Sequence, residues 1–158
     1  MIVKVYSHEE NLTPVCKTED SAGYDIYCPE DTYVSWKRLA EVTVDTQIVL
    51  DGSECLEQFA IFLLPRSGLS SKLDIRLKNT VGVIDKDYVG PEDRMRAIIK
   101  MPLSLWLKHL ITRKPLFKKG DRICQIGYLQ VLKPRHVYVP KSLNENMNRG
   151  GFGSTGLK

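Results

Sequence analysis

The pattern of hydrophobic and polar positions predicts a chain made mainly of short β-strands. Residues 59–64 form a continuous apolar run, which is typical of a strand buried on both faces. Residues 41–50 alternate between apolar and polar side chains, the period of a half-buried strand. Further strands are predicted at residues 1–6, 24–28, 32–34, 95–101, 123–131 and 137–139. Because turn residues and loops separate these short segments, the pattern favours an all-β sandwich or barrel.

Two segments depart from the strand pattern. Residues 69–73 predict a single short helix, whereas the apolar residues 103–111 fit a helix, a strand or a long surface loop. From residue 144 onward the chain is polar and then rich in glycine, so it has little side-chain area with which to pack. The sequence therefore predicts one β domain over residues 1–143 and a flexible C-terminal arm over residues 144–158, ordered only by a ligand or a neighbouring subunit.

Composition narrows the class of protein. The 158 residues suffice for one domain with its own core, and 42% hydrophobic with 27% charged residues is typical of a globular chain. The net charge of +4 is small and spread out, which suits an anionic small molecule better than nucleic acid. No apolar run is long enough for a membrane span or a signal peptide, so we expect an intracellular protein. The four cysteines lack metal-site spacing, which predicts free thiols.

Residues 79–90 contain several side chains that could form a binding or catalytic site. Gly82 interrupts a run of β-forming residues, which indicates a bulge, a tight turn or a close approach to the backbone. Asp85 follows, and a carboxylate can orient and deprotonate a water. Tyr88 can form the floor of a pocket. Taken alone, an ordinary hairpin with a polar turn fits this segment equally well, with Tyr88 as a core aromatic.

A second candidate site lies at Arg66, Ser67 and Gly68, between the buried strand and the short helix. Backbone N–H groups, a hydroxyl and a guanidinium together suit an anion. The alternative is a helix cap at Ser67 with Arg66 on the surface. Asp25 by itself fits a turn-capping acid, and Gln125 fits an outward-facing strand residue.

Five short motifs in a fixed order resemble the trimeric dUTP pyrophosphatases (dUTPases). They occupy residues 22–26, 65–72, 79–90, 120–125 and 149–156, so the resemblance covers nearly the whole chain. It implies a β jelly-roll that assembles as a homotrimer with shared active sites. It also implies Mg²⁺-dependent hydrolysis of dUTP to dUMP and pyrophosphate, which keeps uracil out of DNA and supplies dUMP for thymidylate synthesis.

The resemblance also assigns roles around the nucleoside. Asp85 would orient the water that attacks the α-phosphorus and would lie near the 3′-hydroxyl. Asn79 and the backbone of Gly82 and Val83 would bind uracil. Tyr88 would pack under the sugar and leave no room for a 2′-hydroxyl.

Other residues would serve the phosphates. Ser67 and Gly68 would hold the α- and β-phosphates with support from Arg66, and Gln125 would donate its amide to the α-phosphate. Asp25 would reach Mg²⁺ through water. Asp121 and Arg122 would form a structural or intersubunit ion pair.

The C-terminal arm would act as a lid on another subunit's site. Phe152 would cover the uracil, Arg149 would clamp the γ-phosphate, and Gly153 and Ser154 would also contact substrate. The family commonly spaces this Arg and Phe further apart than the two glycines found here.

Two other functions stay open at this point. One is a dCTP deaminase of the same superfamily fold, for which Glu92 is the only candidate glutamate and has an unsuitable context. The other is a non-catalytic regulator that binds a partner protein, with residues 103–111 as the seat of binding. The presence of Asp85, Gln125 and Phe152 favours hydrolysis.

Overall fold

The computed structural model describes residues 4–7, 9–51, 59–85, 87–88 and 92–132, and its main elements are antiparallel β-strands. The strands are β1 (Lys4–Ser7), β2 (Tyr24–Tyr27), β3 (Glu41–Asp45), β4 (Ile48–Asp51), β5 (Phe59–Pro65), β6 (Arg76–Leu77), β7 (Gly82–Asp85), β8 (Arg96–Lys100) and β9 (Arg122–Gln130). The helices are α1 (Ser67–Leu73) and α2 (Leu103–Thr112), and a 3₁₀ turn spans Glu10–Leu12.

The described strands form three antiparallel sheets. The largest has the order β2-β9-β5-β7, the second has the order β3-β8-β6, and β1 pairs with β4. In the largest sheet β5 is an inner strand, and Ile61 lies opposite Tyr128 of β9 and Ile84 of β7. Among the described strands β7 is an edge strand of this sheet, so one side of its backbone has no strand partner from that part of the chain.

The core consists mainly of aliphatic side chains from these sheets. Ile26, Ile61, Ile99 and Ile126 are each 1% exposed or less. Phe59, Ala60, Ile61 and Leu63 are all buried, although consecutive residues of a strand face opposite sides. Phe62 and Leu64, on the same face as Ala60, are only half-buried, so the predicted burial on both faces is complete on one face and partial on the other.

The undecided segment at residues 103–111 is a helix. Pro102 precedes the first helical residue, and Arg113 ends the helix in the left-handed conformation with φ 53°. Trp106 is buried, and its ring meets the exposed Trp36 edge-on with centroids 5.5 Å apart. The packing of Trp106 into the core explains why the segment folds back on the domain.

Two strand predictions differ from the structure. The segment at residues 41–50 forms two strands, because Gln47 adopts a left-handed φ of 56° and the Thr46 hydroxyl donates to the Met95 carbonyl at 2.7 Å. The segment at residues 32–34 contains only an isolated bridge between Thr32 and Phe117. The predicted strand at residues 137–139 lies outside the described residues.

Two further observations concern the cysteines and the length of the helices. Cys16, Cys28 and Cys124 are free thiols, and the last two are buried. In the part of the chain that the structure describes, no helix has the length and apolar character needed to cross a bilayer.

Candidate active site

A buried carboxylate organises one end of the largest sheet. Asp25 of β2 lies opposite Gln125 of β9 and is 4% exposed. Its Oδ1 accepts hydrogen bonds from Gln125 Nε2 at 3.0 Å and from Arg66 Nε at 3.1 Å. Its Oδ2 accepts a hydrogen bond from Arg122 Nη1 at 2.9 Å. One carboxylate thus holds three side chains from two separate parts of the sequence, Arg66 before α1 and two residues of β9.

A β-bulge in β9 makes this arrangement possible. Ile26 pairs with Cys124 but the next residue, Tyr27, pairs with Arg122, so Ile123 is the extra residue. Residues three apart in a regular strand face opposite sides. The bulge places Arg122 and Gln125 on the same side, where both reach Asp25, while Ile123 and Cys124 are both buried in the core.

The electrostatic environment keeps Asp25 ionised. Burial raises the pKa of this carboxyl, but hydrogen bonds from Gln125 and Arg122 and the charges of Arg66 and Arg122 outweigh burial and lower the pKa below its ordinary value. One carboxylate beside two guanidinium groups leaves a net positive charge. The cluster therefore favours an incoming anion.

The start of α1 adjoins this cluster. Arg66 is the residue before the helix, and its Nη1 also donates to the Arg122 carbonyl at 3.1 Å. Ser67 is the first helical residue, so the alternative of a cap at Ser67 with a surface Arg66 is wrong. The backbone N–H groups of Ser67 and Gly68 have no hydrogen-bond partner among the described residues. A Cβ built on Gly68 would meet no atom within 4 Å, so a ligand can approach this backbone.

Strand β7 forms a second part of the site. It borders a cavity of about 260 Å³. The lining residues are Leu63, Asn79, Gly82, Val83, Ile84, Tyr88, Arg94, Met95 and Arg96. A Cβ on Gly82 would stand 3.0 Å from Leu63 Cβ, so the close approach of β5 accounts for this glycine.

Tyr88 lies beside this cavity and is not a core aromatic. It is 40% exposed, its N–H donates to the Asp85 carbonyl at 3.1 Å, and its hydroxyl donates to the Arg94 carbonyl at 3.4 Å. Asp85 is exposed at the end of β7. These contacts tie the Tyr88 backbone to that of Asp85 and the Tyr88 hydroxyl to the backbone of Arg94.

Asp85 and the start of α1 lie at opposite ends of β5. Asp85 pairs with Ala60, whereas Arg66 follows Pro65. Ala60 and Pro65 are five residue steps apart along the extended strand, a distance of roughly 17 Å. A single chain therefore does not bring Asp85 to the phosphate-binding candidates.

Comparison with known proteins identifies the family. The sequence model of the dUTPase family matches residues 10–93, just over half of the chain. The deoxyuridine 5′-triphosphate nucleotidohydrolase of Finegoldia magna is 34% identical over 157 residues, covering 99% of both chains. That of Hydrogenobaculum sp. is 31% identical over 150 residues, covering 95% of this chain and 94% of the relative. The chain belongs to the dUTPase family.

Solved dUTPase structures confirm the fold class. The dUTPase from Streptococcus mutans matches with a TM-score of 0.62 at 23% identity, over 85% of this chain and 98% of that one. The dUTPase of Staphylococcus bacteriophage 80alpha with dUPNHPP matches with a TM-score of 0.68 at 21% identity, over 99% of both chains. The mainly antiparallel β architecture is that of the dUTPases.

Several dUTPase-like assignments stay predictions. Arg149, Phe152, Gly153 and Ser154 lie outside the described residues. Asp25 was predicted to reach Mg²⁺ through water. Among the described residues no group of three or more acidic, histidine or cysteine side chains is placed to hold a metal.

Arg122 belongs to the cluster around Asp25, although the sequence did not single it out for the site. Its predicted partner within the chain was Asp121, but Asp121 Oδ2 accepts the Lys118 N–H at 2.8 Å, and Arg122 pairs with Asp25. The only local signal was a cation three positions before Gln125. A regular strand would have placed the two on opposite faces.

Proposed function

We propose that the chain is a dUTP diphosphatase that acts within the cell and hydrolyses dUTP to dUMP and pyrophosphate. Beyond family membership, the observation that carries this proposal is the Asp25 cluster, whose net positive charge and unused N–H donors suit a polyphosphate. The reaction keeps uracil out of DNA and supplies dUMP for thymidylate synthesis.

Uracil would bind at the edge of β7. Because β7 is an edge strand of its sheet, backbone N–H and C=O groups near Gly82 and Val83 are available to pair with the edge of a base. Cytosine reverses the donor pattern at that edge and would be rejected. Asn79 and Tyr88 both line the cavity beside β7. Tyr88 would pack under the sugar and exclude a 2′-hydroxyl.

The phosphates would bind at the start of α1. The N–H groups of Ser67 and Gly68 would hold the α- and β-phosphates, with Arg66 and Gln125 as further donors. Asp85 would orient a water for in-line attack on the α-phosphorus, and the donors already in place would stabilise the developing charge. Mg²⁺, carried mainly by the nucleotide, would screen its charge.

The separation of Asp85 from the phosphate-binding residues supports a shared site. At roughly 17 Å along β5, the two parts would act on one nucleotide only if different subunits contribute them. We therefore propose a homotrimer in which neighbouring subunits complete each site and the arm carrying Arg149, Phe152, Gly153 and Ser154 closes over it. Sedimentation equilibrium should give three times the chain mass of 18.0 kDa, whereas a monomer that is fully active would contradict the shared site.

A substrate panel tests the activity. Pyrophosphate release is measured with dUTP, dTTP, dCTP and UTP, each with and without Mg²⁺. The proposal expects efficient release from dUTP with Mg²⁺ and little from the others. Ammonia release from dCTP would instead indicate a deaminase, and no turnover of any substrate would favour the non-catalytic regulator.

A further inference from the structure

The helix α2 has apolar side chains on both of its faces. Three apolar side chains pack into or against the core, and they are Leu105, Trp106 and Leu110. Leu103, Leu107 and Ile111 are also apolar but are exposed, and Ile111 is 75% exposed. A surface helix normally has polar side chains opposite its packed face. The packing of α2 on the domain therefore does not account for its three exposed apolar side chains.

These three side chains form one line along the helix, which we call the outer stripe. Leu103, Leu107 and Ile111 follow one another at intervals of four residues, and residues four apart are neighbours on the surface of a helix. At 1.5 Å per residue the outer stripe is about 12 Å long. A second helix can cover such a line by placing its own side chains in the spaces between these. The outer stripe therefore has the shape of a helix-binding surface.

Positive charge surrounds the outer stripe. Residues 94–120 contain eight Lys or Arg residues and no Asp or Glu, whereas the other 15 basic residues share the rest of the chain with all 19 acidic residues. Lys108 is next to Leu107 in α2, and Arg113 and Lys114 follow the helix. These three basic side chains are exposed, and none of them pairs with a carboxylate of the described residues. The surface of α2 therefore attracts acidic groups.

A groove between α1 and α2 borders the same surface. It has a volume of about 510 Å³, and Lys72 of α1 and Lys108 of α2 both line it. Asp74 is the one carboxylate of the lining, and it pairs with Arg76 at 3.3 Å. Because Lys108 follows Leu107 by one position, it lies between the groove and the outer stripe. The apolar line and the basic groove are thus adjacent.

We propose that α2 is a docking site for another protein, which presents an acidic amphipathic helix. The apolar side chains of that helix cover the outer stripe, and its carboxylates pair with Lys108 and Lys72. Trp36 lies beside α2, where it is 77% exposed and meets the ring of Trp106. An exposed tryptophan is a frequent anchor in protein interfaces. The inference does not depend on the proposed function.

Charge argues against two occupants from the chain itself. A second copy that packs face to face would bring Lys108, Arg113 and Lys114 towards the same groups of its partner. Residues 133–158 contain five basic residues and one acidic residue, Glu145, so their charge is also of the wrong sign. An apolar stripe is equally unsuited to nucleic acid, where contacts to phosphate dominate binding.

The test is the binding of synthetic peptides to the full-length protein, measured by fluorescence anisotropy of the labelled peptide. The probe has leucine at helical spacing, glutamate beside the leucines and alanine elsewhere, in about 20 residues so that it forms a helix. One comparison peptide has lysine in place of glutamate, and another has glutamine in place of leucine. We expect the acidic amphipathic peptide to bind at least about tenfold more tightly than either, and less tightly as salt is added.

Two variants locate the binding on α2. Ile111→Ser removes apolar area and Lys108→Glu reverses a charge, and the fold should tolerate both because the side chains are exposed. Each should weaken binding of the acidic peptide by about tenfold or more. Leu132→Ser and Lys17→Glu are the matched controls, since both change exposed residues outside the outer stripe and the groove. Both controls should stay within about twofold of wild type.

The results separate this docking site from other uses of α2. Ile111→Ser should lose peptide binding while kcat/KM for dUTP and the mass from sedimentation equilibrium stay at the wild-type values. A lower mass for Ile111→Ser would show that α2 packs between subunits and would overturn the inference. The inference also fails if the wild type does not bind the acidic peptide, if the lysine peptide binds equally well, or if either α2 variant binds like wild type.

Vesicles of phosphatidylserine and phosphatidylcholine and a duplex DNA complete the experiment. We expect neither to bind at α2. Vesicle binding that Ile111→Ser abolishes would assign the face to a membrane surface. DNA binding that Lys108→Glu abolishes and Ile111→Ser leaves unchanged would assign it to nucleic acid. Either result would overturn the proposal of a protein partner.

Discussion

Gly68→Ala should separate stability from activity. Gly68 is the second residue of α1, and its φ is not in the positive range that favours glycine. An added Cβ would meet no atom within 4 Å. The described residues give no reason for a glycine here, so we expect the reason to be the ligand.

The expected change in melting temperature follows from helix propensity, and the expected loss of turnover follows from the position of the reacting phosphate. Alanine in a helix is more stable than glycine by roughly 0.5–1 kcal/mol, and in a chain of this length that raises the melting temperature by about 1–4 °C. If a phosphate lies against the Gly68 backbone, the new methyl group displaces it. A displacement of about 1 Å can cost roughly 10²-fold in turnover, which is the loss we expect.

The assay pairs thermal unfolding with kcat/KM for dUTP. Gly82→Ala is the contrasting variant, because its Cβ would stand 3.0 Å from Leu63 Cβ. That overpacking should cost about 1–3 kcal/mol of unfolding free energy. A Gly68→Ala enzyme with activity within about threefold of wild type would show that no phosphate approaches this backbone. A lowered melting temperature would contradict the open space over Gly68.

Three further predictions concern single side chains. Asp85→Asn should lower kcat by about 10²–10⁴-fold, with the melting temperature unchanged because Asp85 is exposed. If kcat fell by less than a few-fold, another group would orient the water. Tyr88→Ala should lower the ratio of kcat/KM for dUTP over UTP by about tenfold, and an unchanged ratio would show that the ring does not exclude the 2′-hydroxyl. Burial raises the pKa of Tyr128 to about 12, above the ordinary value of 10.0. Because the phenol therefore loses its proton first in the unfolded chain, the stabilisation given by the protonated Tyr128 is complete below pH 10 and is lost as pH rises towards 12. Urea unfolding across this range should show a shallower alkaline decline for Tyr128→Phe, and the same slope in both proteins would refute the assignment.

Much of the fold and part of the site could be predicted from the sequence. The apolar run of β5 and the first residue of β2 could be predicted because local sequence patterns mark them. Gly82, Asp85 and Tyr88 were predicted as site residues because a glycine in a strand and an acid after it carry local chemical meaning, and their roles stay predictions. The order of the motifs identified the family, as the comparisons confirm.

Two features of the fold were decided by packing. Residues 103–111 read equally well as helix, strand or loop, and burial of Trp106 against the domain selects the helix. The single strand expected at residues 41–50 is interrupted where Thr46 bonds to Met95, a residue 49 positions away. Local propensity is weak compared with such contacts.

The Asp25 cluster is what the sequence did not reveal. The local pattern offered a turn-capping acid at Asp25, an outward Gln125 and an Arg122 paired with its neighbour Asp121. In the folded chain a bulged residue, Ile123, changes the side on which Arg122 lies, and Asp25 then collects partners from up to 100 positions away. A bulge is set by how two strands pair and by what the core must bury, so no stretch of β9 read alone contains it.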